Sequence, residues 1–287
     1  MHLALVELES GLALAAVYSL IAVSLTFTYR VTGVVQLAQG DIMMCGAFAG
    51  YFVGTAVHSL PLAILASVTT AAILGFLAYE GAFRWLLAAG HLPPLVVGLA
   101  LATALEEALR ILFFSGQPVP FPSLSWTKAL GVTGTNFLVI GIALSIGVAF
   151  EVVLQVSRVG RDLRAVADNP EMARALGIPA ERMRMLAFVA GAAIAGVAGV
   201  LVAVIYGSIA YNGGQTLEFV AIASILLGGL GSVSGAVVGA VVIGLGQAFV
   251  GTYISSSYDN AFTFGIVLII IMARPTGILG ADDGVRA

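Results

Sequence analysis

Charged residues are scarce in this chain. Only 9% of its 287 residues are Asp, Glu, Lys or Arg, whereas 60% are hydrophobic. Soluble domains carry roughly 25% charged residues, so a water-soluble protein of this length could not cover its surface with so few. The shortage excludes a soluble enzyme, a nucleic-acid-binding protein and a disordered chain. Together with 35 glycines and a mean hydropathy of +1.07, it indicates a polytopic α-helical membrane protein.

Three other residue types are too rare or too scattered to form familiar kinds of site. A single cysteine, Cys45, excludes disulfide scaffolds and cysteine-based metal sites. The histidines His2, His58 and His91 are far apart and lack metal-ligand spacing. The one lysine, Lys128, is followed by alanine, which rules out the Gly-Lys-Ser/Thr sequence of a phosphate-binding loop. We therefore expect the chain itself to bind no metal, no cofactor and no ATP.

Long apolar stretches predict about nine membrane crossings, with roughly eight to ten compatible with the pattern, since a helix needs about 20 apolar residues to cross the bilayer. The stretches are 10–29, 41–57, 61–79, 94–114, 135–156, 185–206, 217–250 and 260–273. The stretch 217–250 is too long for one straight span, and its glycines at 228–235 predict two short spans or a helical hairpin. The predicted fold is all-α, a single transmembrane domain over residues 1–287, with a first span that is retained rather than cleaved as a signal peptide.

Basic residues set the orientation, because cytoplasmic loops of membrane proteins are enriched in Lys and Arg. The loop 157–184 contains six arginines and is placed in the cytoplasm. With nine spans, ten of the twelve basic residues lie on that side. This count predicts a cytoplasmic C-terminus and an N-terminus on the outside. Arg110 falls within a span, and Lys128 falls on the outer side.

The loop 157–184 is the only densely charged segment, with ten charged residues. Asp168 or Asn169 is expected to cap a short helix that has Pro170 in its first turn, and Gly177 predicts a left-handed stop. Two interpretations follow, a docking surface for a soluble partner or an ordinary amphipathic connector. The helix is expected to contain Glu171, Met172, Ala173, Arg174, Ala175 and Leu176.

Four motifs occur in order along the chain. The first, at 37–41, is Leu-Ala-Gln-Gly-Asp, the second, at 171–177, is Glu-Met-Ala-Arg-Ala-Leu-Gly, the third is the Gly-rich segment 227–236, and the fourth, at 274–280, is Arg-Pro-Thr-Gly-Ile-Leu-Gly. The second resembles the EAA loop of ABC importer permeases, although Met172 stands where that family has alanine. The whole set resembles the branched-chain amino acid permease family (LivH-like), and the resemblance extends over nearly the whole chain.

The resemblance implies the membrane subunit of an ATP-driven importer in the bacterial inner (cytoplasmic) membrane. In that family two permeases pair, often as related but different chains. Two cytoplasmic ATPase subunits, which bind ATP and Mg²⁺, dock beneath them, and a periplasmic binding protein delivers the substrate. The loop helix would then be a coupling helix that seats in a groove of an ATPase. The coupling residues that the resemblance implies are Asn169, Pro170, Glu171, Ala173, Arg174, Leu176 and Gly177.

Polar groups within the predicted spans are candidates for the translocation path, because ionisable side chains in a membrane are costly and face the protein interior or a wet cavity. Glu106 and Glu107 precede Arg110 by four and three residues, so both acids can reach its guanidinium. A structural ion pair is the alternative there. The candidates are Gln36, Gln39, Asp41, Glu106, Glu107, Arg110, Gly228, Gly229, Gly231 and Ser232.

Asp41 and Glu218 each carry two interpretations. The turn before 41–57 is either part of the path or a polar turn in which Asp41 caps the next helix. Glu218 is expected on the outer side, as a helix-start charge or at the outer mouth of the path. The break at 228–235 is a candidate for lining the path, as broken transporter helices often do.

Two glycine series repeat every four residues and predict close helix packing. They are Gly46, Gly50 and Gly54 in one span, and Gly231, Gly235 and Gly239 in another. Each series places its glycines on one helix face, where a neighbouring backbone can approach.

Other functional classes fit less well. A gradient-driven secondary transporter would need paired broken spans and an ion site, for which the adjacent acids Glu106 and Glu107 are the only support. A membrane-embedded enzyme would need an acid or nucleophile partnered with His58 or His91, and the sequence offers none. Within the permease class, urea, amides and small organic or aromatic acids stay open as alternative substrates to branched-chain amino acids.

Overall fold

The protein is described from a computed structural model that gives residues 2–87, 90, 92–113, 116–122, 125–274 and 277–279. A π-helical turn, Tyr79–Phe83, joins the third helix to the fourth, and a second, Gly251–Ser255, leads through the 3-10 helix Ser256–Tyr258 into the last. The α-helices are α1 (His2–Thr32), α2 (Gln39–Val57), α3 (Leu60–Ala78), α4 (Arg84–Leu86), α5 (Leu92–Leu112), α6 (Ser125–Val156), α7 (Arg158–Asp168), α8 (Pro170–Ala175), α9 (Ala180–Tyr206), α10 (Gly213–Gly228), α11 (Val233–Val250) and α12 (Asp259–Ala273).

The predicted all-α fold is confirmed. In the described part of the chain the strands are limited to β1 (Val119–Pro120) and β2 (Ser208–Ile209), which pair antiparallel with Val119 opposite Ile209. This ribbon ties the segment after α5 to the segment after α9. It lies at the end of the bundle where Phe121 packs into the main apolar core.

Six helical stretches among the described residues are long and apolar enough to cross a membrane. They are Glu7–Thr32, Gln39–Val57, Leu60–Leu86, Gly131–Val156, Ala180–Tyr206 and Val233–Ile270. The last is 38 residues long and folds back on itself, since Gln247 Nε2 in α11 donates a hydrogen bond to Thr263 Oγ1 in α12 at 2.7 Å. It therefore consists of two helices that lie side by side, and α5 and the shorter apolar helix α10 complete the bundle. The number of crossings stays a prediction.

α1 lies at the centre of the bundle, in contact with α6, α9, α10 and α11. Its residues 20–28 are all buried. Small residues let α11 approach closely, because a Cβ atom on Gly244 would lie only 2.6 Å from the Cα of Ala15. Tyr18 donates from its hydroxyl to Gln247 Oε1 at 2.8 Å, so the buried amide of Gln247 is hydrogen-bonded by helices on both sides.

The arginines assigned to the cytoplasm gather at one end of the bundle. Val31, at the end of α1, packs in one apolar cluster with Leu163 of α7. Tyr79, after α3, donates from its hydroxyl to the carbonyl oxygen of Glu181 at 3.1 Å. Arg110 lies at the opposite end, beside the turn that leads to β1. The arginines at the loop end are Arg30, Arg84, Arg158, Arg161, Arg164, Arg174, Arg182, Arg184 and Arg274, which marks that end as cytoplasmic.

Candidate translocation path and coupling helix

The expected loop helix is present as α8, Pro170–Ala175. Asn169 Oδ1 accepts hydrogen bonds from two first-turn backbone N–H groups, at 3.0 and 2.9 Å. Of the two caps considered, Asn169 rather than Asp168 is therefore the one used. Gly177 follows with a φ of +83°, the expected left-handed stop. Local sequence thus determines both ends of this short helix.

α8 turns one apolar pair toward the cytoplasm. Met172 is 61% exposed, and Leu176, directly after the helix, is 75% exposed. On the other side, Ala173 is buried in a cluster with Leu163 and Val166 of α7. Because α8 is anchored on one side and presents large apolar side chains to water on the other, it has the form of a contact surface for a soluble partner.

One carboxylate links α8 to two spans. Glu181 Oε1, in the first turn of α9, accepts hydrogen bonds from Arg174 at 2.9 Å and from Arg184 at 3.4 Å. Its Oε2 accepts a hydrogen bond from the hydroxyl of Tyr79 at 3.0 Å. Direct contacts therefore join α8 to the first turn of α9 and to the residue that follows α3. The sequence analysis did not identify Glu181 or Tyr79, because their meeting depends on residues 102 positions apart.

The loop also contains α7, which the sequence analysis did not identify. Ser157 Oγ accepts a hydrogen bond from the backbone N–H of Gly160 at 2.9 Å and caps this helix. Leu163 and Val166, three residues apart, are buried against the neighbouring helices. The serine cap and the helical apolar spacing are both legible in the sequence and would have indicated the helix.

Gln39 and Asp41 lie inside the bundle rather than at its surface. Gln39 Nε2 donates a hydrogen bond to Ser24 Oγ at 3.3 Å. Ser24 is eight residues before the end of α1, which is roughly 12 Å along the helix axis. Gln36, Gln39 and Asp41 are each at most 1% exposed. The chain after α1 therefore turns back into the bundle, and α2 begins within it.

The capping role considered for Asp41 is not observed. α2 begins after Ala38 without a side-chain hydrogen bond at its N-terminal end. Asp41 lies in the first turn of α2, and its Oδ1 points at the first turn of α10, where it would lie 2.8 Å from a Cβ atom placed on Gly214. Tertiary contact with α10, rather than local capping, determines its surroundings.

Glu218 belongs to the same buried group, and it is not the helix-start charge considered for it, since α10 begins five residues earlier at Gly213. Its Oε2 accepts a hydrogen bond from the backbone N–H of Gly40 at 3.1 Å, and the residue is 5% exposed. The reason is that α10 crosses the start of α2. A Cβ atom on Gly214 would lie 2.6 Å from the carbonyl oxygen of Gly40.

Several buried polar atoms at this crossing lack a hydrogen-bond partner within the described residues. They are Nε2 and Oε1 of Gln36, Oε1 of Gln39, Oδ1 of Asp41 and Oε1 of Glu218. In the same part of the chain, no ion pair is formed by Asp41 or Glu218. No set of three or more His, Cys, Asp or Glu side chains in the described ranges could hold a metal ion. The crossing is therefore polar, buried and short of positive charge.

The two acids near the end of α5 lie on different sides of the helix. Arg110 Nε donates a hydrogen bond to Glu107 Oε2 at 2.8 Å, and its Nη2 pairs with Glu107 Oε1. Although the spacing allows either acid to reach the guanidinium, Glu107 is the one that pairs with it in the described structure. Glu106 is half-buried, on the side of α5 that carries the buried residues Ala102 and Leu109, so it faces the bundle while the pair faces outward. A role of these residues in the path stays a prediction.

The Gly-rich break forms the turn between α10 and α11, which confirms the helical-hairpin interpretation. Gly229 and Gly231 have φ values of +109° and +82°, a conformation that side-chain-bearing residues rarely adopt. Ser232 Oγ accepts a hydrogen bond from the backbone N–H of Gly235 at 3.0 Å and caps α11. Gly231 therefore belongs to the turn and not to a helical glycine face.

The C-terminal motif covers this turn. The backbone N–H groups of Ile278 and Leu279 donate to the carbonyl oxygens of Leu227 and Gly228, both at 2.9 Å. Two motifs that are 50 residues apart in the chain thus form one structural unit at the cytoplasmic end. Within the C-terminal motif, Pro275, Thr276 and Gly280 lie outside the described residues, as do residues 281–287. The part of Gly228 and Gly229 in lining a path stays a prediction.

The glycine series lie at close backbone contacts. Cβ atoms on Gly46 and Gly50 would each lie 2.9 Å from a carbonyl oxygen of α3. Gly54 has a looser contact, 3.4 Å to Pro122. Gly235 meets the backbone of Gly228 across the α10–α11 hairpin. Gly239 meets the backbone of Ser224 in the same interface. Larger side chains at Gly46, Gly50, Gly235 or Gly239 would push the paired helices apart.

Comparison with known proteins gives a consistent pattern. The model of the branched-chain amino acid transport system / permease component family matches residues 7–272. The high-affinity branched-chain amino acid transport system permease protein BraD of Pseudomonas aeruginosa is 30% identical over 96% of both chains. The probable branched-chain amino acid transport permease protein LivH of Methanocaldococcus jannaschii is 28% identical over 96% of this chain and 92% of its own.

A more distant group is also represented. The autoinducer 2 import system permease protein LsrC of Klebsiella pneumoniae is 31% identical over 73% of this chain and 61% of its own length. No solved structure matches the chain at a significant level. The similarity to permease components thus extends over nearly the full described bundle.

Proposed function

Because the chain belongs to the branched-chain amino acid transport permease family, whose model matches residues 7–272, we propose that it forms half of the membrane channel of an ATP-driven importer. In this proposal it pairs with a second permease, a related but different chain, in the bacterial cytoplasmic membrane. Two ATPase subunits bind ATP and Mg²⁺ below it, and a periplasmic binding protein delivers a branched-chain or related amino acid from above. The chain itself is a transport component and not an enzyme.

The observation that carries the coupling role is the geometry of α8. Its capped ends fix the helix, Ala173 anchors it, and Met172 and Leu176 are exposed for a groove in an ATPase. When ATP binding closes the two ATPases, the force on α8 reaches α9 and α3 through Glu181. A bundle with two arrangements then changes the side on which its path is open.

The path itself is proposed to lie along the polar positions found within the bundle. Ionisable groups in a membrane need either a protein interior or a wet cavity. Glu107 and Arg110 are about half exposed on the face of α5 that is turned away from the bundle. An ion pair exposed to hydrocarbon would be unfavourable, so this side of α5 is proposed to face water or the partner permease.

One observation supports a second substrate class, solutes other than amino acids: the chain is similar to an autoinducer 2 import permease. Permeases of this type therefore accept solutes other than amino acids, and urea, amides or small organic and aromatic acids are the alternatives. Calorimetry on the cognate binding protein, with a panel of these compounds, decides between them. Absence of leucine, isoleucine and valine binding would refute the amino acid assignment and leave the permease role intact.

The coupling role is tested with two substitutions in the complete transporter. Glu171→Lys reverses a charge at the start of α8, and Gly177→Val places a β-branched residue at a φ of +83°. We expect both variants to insert normally but to lose co-purification with the ATPases or substrate-stimulated uptake. Val159→Ala, an exposed apolar position on α7, is the matched control. Unchanged uptake in both variants would contradict the assignment of α8.

A further inference from the structure

Two helices begin inside the bundle and meet at their N-terminal turns. α2 begins at Gln39 and α10 at Gly213, and Gly40 and Gly214 are in backbone contact. Neither glycine has a side chain that would lock the crossing. Helices that begin within the membrane are a recurrent feature of substrate sites in transporters, because their backbone ends are left available for polar groups.

Each helix supplies a carboxyl group to the N-terminal turn of the other. Glu218 of α10 accepts a hydrogen bond from the backbone N–H of Gly40 in α2. Asp41 of α2 directs Oδ1 toward Gly214 in α10. The partial positive charge of a helix N-terminus favours such an arrangement. It offsets only part of the charge of two carboxylates that are removed from water.

The remaining hydrogen-bonding capacity of the crossing is mostly on acceptors. Gln39 Oε1, Asp41 Oδ1 and Glu218 Oε1 are all buried without a partner in the described residues. Leaving such atoms unpaired is unfavourable. No described arginine or histidine forms an ion pair with either acid. A group that donates several hydrogen bonds would satisfy these acceptors, and an ammonium group, with three N–H donors, is such a group.

Glu106 of α5 is half-buried on the side of the helix that faces the bundle. The ion pair of Glu107 and Arg110 lies on the exposed side of the same helix. Glu107 therefore already has a cationic partner, and the two buried acids of the crossing carry the inference.

We propose that Asp41 and Glu218 bind the ammonium group of the amino acid as it passes through the bundle. The ammonium group reaches the crossing between α2 and α10 and donates to the buried oxygens that lack a partner, Asp41 Oδ1 and Glu218 Oε1. This inference rests on the proposed importer function and deepens it. It distinguishes the amino acids of the proposed function from urea, neutral amides and organic acids, which bring no ammonium group to the crossing.

The first experiment measures leucine uptake by the complete transporter in proteoliposomes. Glu218→Gln and Asp41→Asn keep the side-chain shape and remove the charge. Loss of a charged hydrogen bond corresponds to about tenfold or more in affinity, so we expect uptake to fall about tenfold or more while ATPase activity stimulated by the binding protein persists. Glu151→Gln, which changes a half-buried acid on α6 that accepts a hydrogen bond from Gln155, is the control and should transport normally.

The second experiment measures binding directly, through the thermal unfolding of the purified transporter with three probes at millimolar concentration. Leucine and isoamylamine, which carry the ammonium group, are expected to raise the unfolding temperature of the wild type. 4-Methylpentanoate, which lacks that group, is expected to have no such effect. Both shifts should be lost in Glu218→Gln and Asp41→Asn.

Three results would overturn the proposal: equal stabilisation by 4-methylpentanoate, equal stabilisation by sodium ions in place of the amine, or unchanged shifts and uptake in both variants. If a variant fails to fold, the probe series on the wild type still decides the question. The importer function fails separately, when the wild type takes up no amino acid. A wild type that takes up leucine while both variants do so equally well leaves the importer intact and removes only the ammonium site.

Discussion

Carboxyl groups have opposite surroundings in the cytoplasmic loop 157–184 and at the α2–α10 crossing. In the loop, Glu181 is about half exposed and is shared by Arg174 and Arg184. At the crossing, Asp41 and Glu218 are buried, Glu218 accepts one backbone hydrogen bond from the opposite helix, and each acid has an oxygen without a partner in the described residues. Water stabilises the first set whatever its partners, so those charges are free to serve recognition. The second set depends on the protein, or on what the protein binds.

The glycines of the two regions differ in how closely other atoms surround them. Replacing the tightly packed glycine of the crossing with alanine gives the largest expected effect on stability. In Gly40→Ala the new Cβ atom would collide with the carbonyl oxygen of Gly214, a backbone atom that cannot rotate away. We expect a loss of about 3 kcal/mol or more in stability. The yield of monodisperse protein after detergent extraction, together with its thermal unfolding, measures it.

Gly177→Ala is the matched control for that substitution. No atom lies within 4 Å of the new Cβ, and only the φ of +83° opposes it, at about 1 kcal/mol. Its effect should remain within the loop. Equal losses in the two variants would show that the crossing is less tightly packed than the contact distances indicate.

Gly160→Ala sharpens the comparison, because it lies in the loop but at a tight contact. The new Cβ atom would collide with the backbone of Leu154, at the corner between α6 and α7. We expect the free energy of unfolding to fall by about 1–3 kcal/mol, which is closer to the effect of Gly40→Ala than to that of Gly177→Ala. A change in unfolding temperature no larger than that of Gly177→Ala would refute this ranking.

Asn169→Ala removes both hydrogen bonds that begin α8. Loss of an N-cap is expected to destabilise the helix by about 1 kcal/mol. Hydrogen exchange of the amides of residues 171–176 should therefore be faster, while exchange in α2 and α10 is unchanged. Asn169→Asp retains the acceptor and is the control. Equal protection of α8 in the wild type and in Asn169→Ala would mean that packing on α7, and not the cap, holds the helix.

Arg174→Gln gives the smallest expected effect on stability. Its ion pair with Glu181 is roughly half exposed on both sides, and such pairs contribute about 0.5 kcal/mol or less. The unfolding temperature should be nearly unchanged at any salt concentration. ATPase binding is the sensitive measurement here, since the same side chain belongs to the proposed coupling surface. A large stability loss would mean that the loop charges are structural.

Sequence patterns were sufficient wherever the cause is local. The start of α8 at Asp168 or Asn169 and the stop at Gly177 follow from residue types that satisfy helix ends. The break between α10 and α11 follows from a stretch too long for one span. The expectation of a helix-start charge at Glu218 was wrong because hydropathy gives the order of spans along the chain but not the residue at which a helix begins. The ends of α2 and α10 are set by their contact at Gly40.

The sequence alone therefore determined that this chain is an all-α membrane protein, and it predicted which end of the bundle faces the cytoplasm and a short capped helix in the charged loop. Hydrophobicity, positive charge and capping act over a few residues or on composition, so they can be interpreted without coordinates. Only the tertiary structure brought Asp41 to Glu218, separated Glu106 from Arg110 and joined Glu181 to Tyr79. Those contacts join residues that are distant in the chain, or depend on which side of a helix faces the bundle, and close packing at small residues decides both.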